Sequence, residues 1–356
     1  MKYKFKTKPY DHQLLALSKS WNKREYAYFM EMGTGKSKVL IDNIALLYDR
    51  GGINAAVIVA PKGVYRNWSE KEIPAHMPDH VEKYVAVWTP TPTVKQKKEL
   101  TNLFEISHSL KLFIVNVEAF STKKGVAFVA KFLLAHSALI AVDESTTIKN
   151  PKAQRTKNLL KLAVNTKYRR ILTGFPVTQS PLDLYSQSSF LSPQLLGYTS
   201  FYSFQNRYAK LINRKIGTRT FRQVVGYHNL EELTNNVKTF SYRVLKKECL
   251  DLPDKVYQKR DPDSELKYLI SNTQTGGYGI TLTEASNVIY YSNNYDLEKR
   301  LQSEDRAHRI GQTNKVTYID LVAKGTVDEK IVKALRNKLD LAQEVLGDEK
   351  WKDWIS

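Results

Sequence analysis

The run Glu31-Met-Gly-Thr-Gly-Lys-Ser37 holds the residue types that grip a polyphosphate. Gly33 and Gly35 let the backbone turn tightly enough for its N–H groups to point at phosphate oxygens. A helix starting at this point adds partial positive charge. Thr34 belongs to the same cradle, Lys36 would reach the β- and γ-phosphates of ATP, and the Ser37 hydroxyl would ligate Mg²⁺. The strict pattern has a glycine where this chain has Met30, so a purely structural glycine turn is the competing reading.

A second pair of residues answers the first. Ala138-Leu-Ile-Ala-Val142 is an apolar run that leads straight into Asp143-Glu144. Two acids at the mouth of a buried strand are costly unless a cation sits opposite. Beside a phosphate loop that cation is Mg²⁺, held by Asp143, while Glu144 orients and deprotonates an attacking water. Taken alone, the pair also reads as a solvated turn. Upstream, Gln13 has an amide able to donate to and accept from an adenine edge. Thr173 and Gly174 follow another strand-like run and are candidates to sense the nucleotide, with a simple turn as the alternative.

Elements that could position these residues follow from the apolar pattern. Tyr26-Ala-Tyr-Phe-Met30 reads as a buried strand, and Lys38 to Tyr48 repeats at helical spacing. Ala55-Ala-Val-Ile-Val-Ala60, closed by Pro61, suits a strand buried on both faces of a parallel sheet. Lys62, Arg66, Asn67 and Trp68 then lie at the carboxyl edge, where open α/β sheets bind ligands. Leu112-Phe-Ile-Val-Asn116 is a further strand, whereas 74–108 is too polar and irregular to assign. Later, Asn287 to Tyr291 and Val316 to Val322 read as strands, and Val327 to Leu346 as an amphipathic helix. Leu297 to Ile310 reads as a helix that carries Gln302, Arg306 and Arg309 on one face.

The charge points to a polyanionic partner. The 356 residues include 55 Lys and Arg against 36 Asp and Glu, a net +19, which favours nucleic acid first and an anionic membrane surface second. Residues 201–260 alone hold 13 basic and 5 acidic residues, a net +8, interleaved with Tyr202, Phe204, Tyr208, Phe221 and Tyr227. Within them Arg214, Lys215, Arg219 and Arg222 suit phosphates better than base edges, which gives affinity without sequence choice. A solvated basic helical insertion is the plainer alternative. Cys249 is the only cysteine, so an intrachain disulfide is excluded and a reducing, cytoplasmic setting is expected. No run approaches the ~18 apolar residues of a membrane span.

The order of Gln13, Gly33 to Ser37, Ala60-Pro61, Asp143-Glu144 with Ile148-Lys149-Asn150, and Leu172-Thr173-Gly174 resembles the first RecA-like lobe of a Swi/Snf-type ATPase of helicase superfamily two. The match resumes at Tyr242 to Lys247, at Asn272 to Gly279 and at Gln302-Ser-Glu-Asp-Arg-Ala-His-Arg-Ile-Gly-Gln312. The resemblance implies an α/β fold of two RecA-like parallel-sheet lobes. The first would span 1–190, a basic and mainly helical insertion 191–254, and a second lobe 255–356. It also implies ATP-driven movement on double-stranded DNA. Gln13 and Gln302 would contact the nucleotide, and Arg306 and Arg309 would reach it from the second lobe. Lys62, Trp68, Lys149, Thr273, Gly276 and Gly277 would face nucleic acid. Compact size is more like a bacteriophage or bacterial member of the family.

Three departures stand out. Thr146 and Thr147 occupy positions where the family commonly has a lobe-linking histidine, and Phe175 stands where a small polar residue is usual. Only about fifteen residues separate Leu252-Pro253 from Leu269-Ile-Ser271, so the second lobe is expected to lack its leading strands, with a possible protein partner there. An ATP- and DNA-binding module with little turnover is therefore a rival to the translocase. A strand-separating DNA or RNA helicase is a weaker third.

Overall fold

The computed structural model describes residues 3–106, 108–216, 218–250, 255–257, 271, 282–349, 351 and 354. Seven strands form its main sheet: β1 (Glu25–Met30), β2 (Ala55–Ala60), β3 (Lys83–Val87), β4 (Leu110–Asn116), β5 (Ala138–Asp143), β6 (Tyr168–Leu172) and β9 (Ser241–Val244). Their order is β3-β4-β2-β5-β6-β1-β9, and every pairing is parallel. A parallel sheet is covered on both faces, which is why its strands read as unbroken apolar runs. Alternation divides them: Ala27, Phe29, Val57, Val59, Ile140 and Val142 pack into one core. Tyr26, Tyr28, Met30, Ala56, Ile58 and Ala141 pack into the other.

Helices α1 (Asp11–Ser20) and α2 (Lys36–Asp49) cover the second face through Ala16, Leu17, Val39, Leu40 and Ile44. On the first face lie α4 (Lys123–Ala135), α5 (Gln154–Ala163) and α6 (Leu184–Leu191), anchored by Phe132, Leu159 and Phe190. The unassigned stretch 74–108 supplies edge strand β3 and helix α3 (Val94–Glu105), which starts at a Thr93–Gln96 capping box.

The stretch expected to be mainly helical is mixed. Between α7 (Phe201–Tyr208) and α8 (Leu230–Phe240) stands an antiparallel hairpin, β7 (Ala209–Ile216) with β8 (Arg219–Tyr227). Its exposed charged residues disguise the period of two, and a register shift at Lys210/Leu211 breaks it further. Strand β9 then returns to the main sheet beside β1, so the end of this basic stretch completes the first lobe.

In the second half a small parallel sheet runs β10 (Lys255–Tyr257), β12 (Val316–Asp320), β11 (Asn287–Tyr290). Helix α9 covers Leu297–Glu304 and α10 covers Val327–Leu346. Asp320 accepts from Arg300 in α9, which stacks 3.5 Å over the Tyr290 ring and fixes helix against sheet. Among the described residues no helix is long and apolar enough to cross a membrane.

Candidate nucleotide site at the lobe boundary

Strand β1 ends at Met30 and α2 begins at Lys36, so the glycine loop turns at the carboxyl edge of the sheet. Gly33 and Gly35 have φ of +80° and +86°, a left-handed conformation that a side chain would strain. Thr34 N–H and Oγ both bond to the Glu31 carbonyl, which shapes the turn. Lys36 is buried at the start of α2. Burial pushes its ammonium below the ordinary lysine value, and Glu144 and Asp143 pull the other way.

β5 delivers those two acids two strands away from β1. Burial lifts the Asp143 carboxyl above its usual range against the attraction of Lys36. Burial likewise pushes Glu144 up to about 7, with Lys36 opposing and Asp143 adding to the rise. Glu144 is also a non-glycine residue at φ 49°, ψ 64°. Such a backbone costs of order 1–3 kcal/mol and persists where the surroundings hold it. Thr173 donates to the Glu144 carboxylate from the end of β6, at 3.4 Å.

The second half closes over this group. A Cβ built on Gly33 would lie 3.7 Å from Arg309 Cβ and 3.5 Å from Lys246 Cε. Arg306 is close enough to Glu144 to oppose the rise of its pKa. Lys246, at the end of β9, makes a buried ion pair with Asp305 and donates to the His308 carbonyl at 2.7 Å. Its own N–H donates to the Glu31 carboxylate at 2.7 Å, so loop, linker and second half meet at one residue.

Two of the three departures noted in the sequence lie on this boundary. Thr146 Oγ1 donates to Glu298 of α9 at 2.9 Å, a link between the halves. Phe175 inserts into the second half's core with Leu297, Leu301, Leu335, Leu339 and Trp354.

Several expected residues sit differently. α9 ends at Glu304, so Arg306 and Arg309 occupy the turns after it, and only Gln302 is helical. Gln302 is buried and donates to Glu298 at 3.2 Å. Gln13 is buried too: its amide donates to the Thr34 carbonyl at 3.0 Å and accepts from Tyr10 N–H at 3.1 Å. Here it braces the glycine loop, and it would have to exchange both bonds to read a base. Trp68 is 2% exposed, which corrects its assignment to nucleic acid. Its indole N–H instead donates to Asp143 Oδ2 at 3.0 Å and orients that carboxylate.

Lys62 is exposed beyond β2, and Lys149 donates to Thr178 beside a cavity of about 330 Å³ that Asn294 and Lys338 also line. Arg214, Lys215 and Arg222 are exposed on the hairpin, whereas the Arg219 side chain is not among those described. Thr273, Gly276 and Gly277 lie outside the described residues, as does most of the gap before Ser271.

Sequence reasoning passed over two neighbours of the loop. Glu72 ends a π-helical turn, Trp68–Glu72, and its carboxyl lies near the Ser37 hydroxyl. Burial raises its pKa against the pull of that hydroxyl and of Arg309. π-helical turns concentrate at functional sites, but no sequence signal marks this one. His12 bonds the Thr34 carbonyl at 2.8 Å through Nε2.

Glycine loop, buried lysine and paired acids at the carboxyl edge of a parallel sheet define a phosphate-loop nucleotide-binding protein. The chain belongs to the SNF2-related domain family, whose model matches residues 19–263. Among curated relatives, the chromatin-remodeling ATPase INO80 of Mycosarcoma maydis is 38% identical over 118 residues, 32% of this chain and 6% of that protein. The ATP-dependent helicase FUN30 of Saccharomyces cerevisiae is 37% identical over 102 residues, 29% of this chain and 9% of that protein. The matches thus span under a tenth of either relative. The Sulfolobus solfataricus SWI2/SNF2 ATPase core in complex with dsDNA has the same fold, with a TM-score of 0.55 and 18% identity over 97% of this chain and 94% of that one.

Proposed function

We propose that this chain is an ATP-dependent translocase on double-stranded DNA. The carrying observation is the approach of Arg309, from the second half, to the glycine loop beside Lys246 of the linker. The residues fit Mg²⁺-ATP. The loop turns through Gly33 and Gly35 at the start of α2 beside a buried lysine, and Gln302 Oε1 and Asp305 Oδ2 are buried without a hydrogen-bond partner. Ser37 and Asp143 would hold the ion, which would screen phosphate charge when bound. Lys36 and the loop N–H groups bind and orient the phosphates. Glu144, held near neutrality, takes the proton of the attacking water. Arg306 and Arg309 stabilise charge that develops on the transferred group.

Because those arginines belong to the second half, hydrolysis requires the halves to meet, and parting and meeting give steps along DNA. The exposed hairpin cations and Lys62 supply phosphate contacts without sequence choice. The second half is read as a shortened RecA-like lobe in a compact, phage-like or bacterial member of the family. A protein partner at its open edge is part of that reading.

The test is steady-state ATP hydrolysis by the full chain with and without duplex DNA. We expect duplex to stimulate turnover, and Lys36→Ala and Glu144→Gln to abolish it. Either variant hydrolysing as fast as the parent overturns the reading. Little or no turnover even with duplex present would instead favour the ATP- and DNA-binding module.

A further inference from the structure

The hairpin carries more than cations. Register pairs Ile216 with Arg219, Arg214 with Phe221, and Ile212 with Gln223. Paired residues share a face, so one face presents Ile212, Arg214, Ile216 and Phe221. Ile212, Ile216 and Phe221 are 39%, 71% and 43% exposed. On the other face Leu211 and Val224 pack against the first lobe's core, and Lys215 and Arg222 stand exposed nearer the tip. The outer ribbon therefore has a bare apolar face and cations on both faces.

Charge selects the occupant. Residues 207–228 contain six Lys or Arg and no Asp or Glu. A second copy of this hairpin would bring those cations face to face. A membrane surface would favour cations rimming one apolar face, not a set on the reverse side as well. A groove in duplex DNA has phosphates on both flanks and base edges on its floor. The major groove is about 12 Å wide, admits a two-stranded ribbon and offers thymine methyls to apolar side chains. We propose that β7–β8 enters the major groove of duplex DNA, with Arg214, Lys215 and Arg222 at the phosphate walls and Ile216 and Phe221 on the groove floor. The proposal rests on the DNA reading above and adds the element and the groove.

The experiment is fluorescence anisotropy of the full chain on two mixed-sequence duplexes. One is plain, and the other carries bulky alkynyl groups at C5 of its pyrimidines, which obstruct only the major groove. The parent is expected to bind the obstructed duplex about tenfold more weakly. Ile216→Ser/Phe221→Ser is expected to bind plain duplex about tenfold more weakly, with the parent's dependence on salt and no further loss on obstruction. Equal binding of both duplexes by the parent overturns the groove and leaves the DNA reading standing. Absence of binding to plain duplex overturns both. A parent that sediments as a dimer, with the double variant a monomer, makes the apolar face a contact between copies and also overturns the proposal.

Discussion

At the scale of single residues, the site gathers opposite charges out of water, and each depends on its neighbours for its protonation state. Burial pushes Lys36 down and Asp143 and Glu144 up, and the attraction between the lysine and the two acids opposes all three shifts. The Cβ of Arg309 lies over the glycine loop, and in the proposed reading its guanidinium meets the charge that appears during reaction. Arg309→Ala is expected to lower DNA-stimulated turnover by about 10³, while a fluorescent ATP analogue still binds with nearly parental affinity. Equal losses of binding and turnover would make the arginine a nucleotide anchor instead. The place of the loop and the paired acids at the carboxyl edge of the sheet was legible in the sequence, because apolar strands lead straight into both. The packing of Trp68 and Gln13 was not. An exposed indole and one that orients a buried carboxylate have the same letter, and only packing tells them apart.

At the scale of elements, legibility followed the apolar period. Strands β2, β4 and β5 are continuous apolar runs because helices cover both faces. Strand β9 and the hairpin were hidden, since Ser241–Val244 alternates too briefly and the hairpin's outer residues face solvent. Phe175 has the opposite history: an oddity in the sequence becomes an anchor in the structure. It is 6% exposed and its ring joins the core of the other half. Phe175→Ala is expected to cost about 3 kcal/mol. Limited proteolysis at the boundary, compared with urea unfolding of the whole chain, would tell weakened docking from global loss. Unchanged protection would mean that the Lys246–Asp305 pair and the Thr146–Glu298 bond suffice.

At the scale of the whole molecule, two histidines lose their contribution to stability as pH falls. Burial holds His76 and His136 below the ordinary value of 6.5, with Lys38 adding to the effect at the first and the Leu103 carbonyl opposing it at the second. The unfolded chain thus binds protons that the folded one refuses. Their contribution is fully present above about pH 6.5 and is lost as pH falls toward the folded-state pKa values. Glu144, raised to about 7, works the other way, because the folded chain holds its proton more tightly as pH falls. The histidine part is therefore read as a difference: between pH 7 and pH 5.5 the urea midpoint of His136→Asn should fall less, or rise more, than the parent's, and identical slopes would remove His136 from the account. The second strand in the main sheet's last pairing has a different consequence. Strand β9 lies parallel to β1 over four rungs, Ala27 with Ser241 through Met30 with Val244, and the chain leaves it for the second half. Tension drawn along that exit acts in shear, so all four rungs resist together, where a strand peeled sideways would yield one rung at a time. The neighbour that shares the tension ends in the glycine loop, so a tug on the rear of the protein is felt first at Gly33 to Ser37.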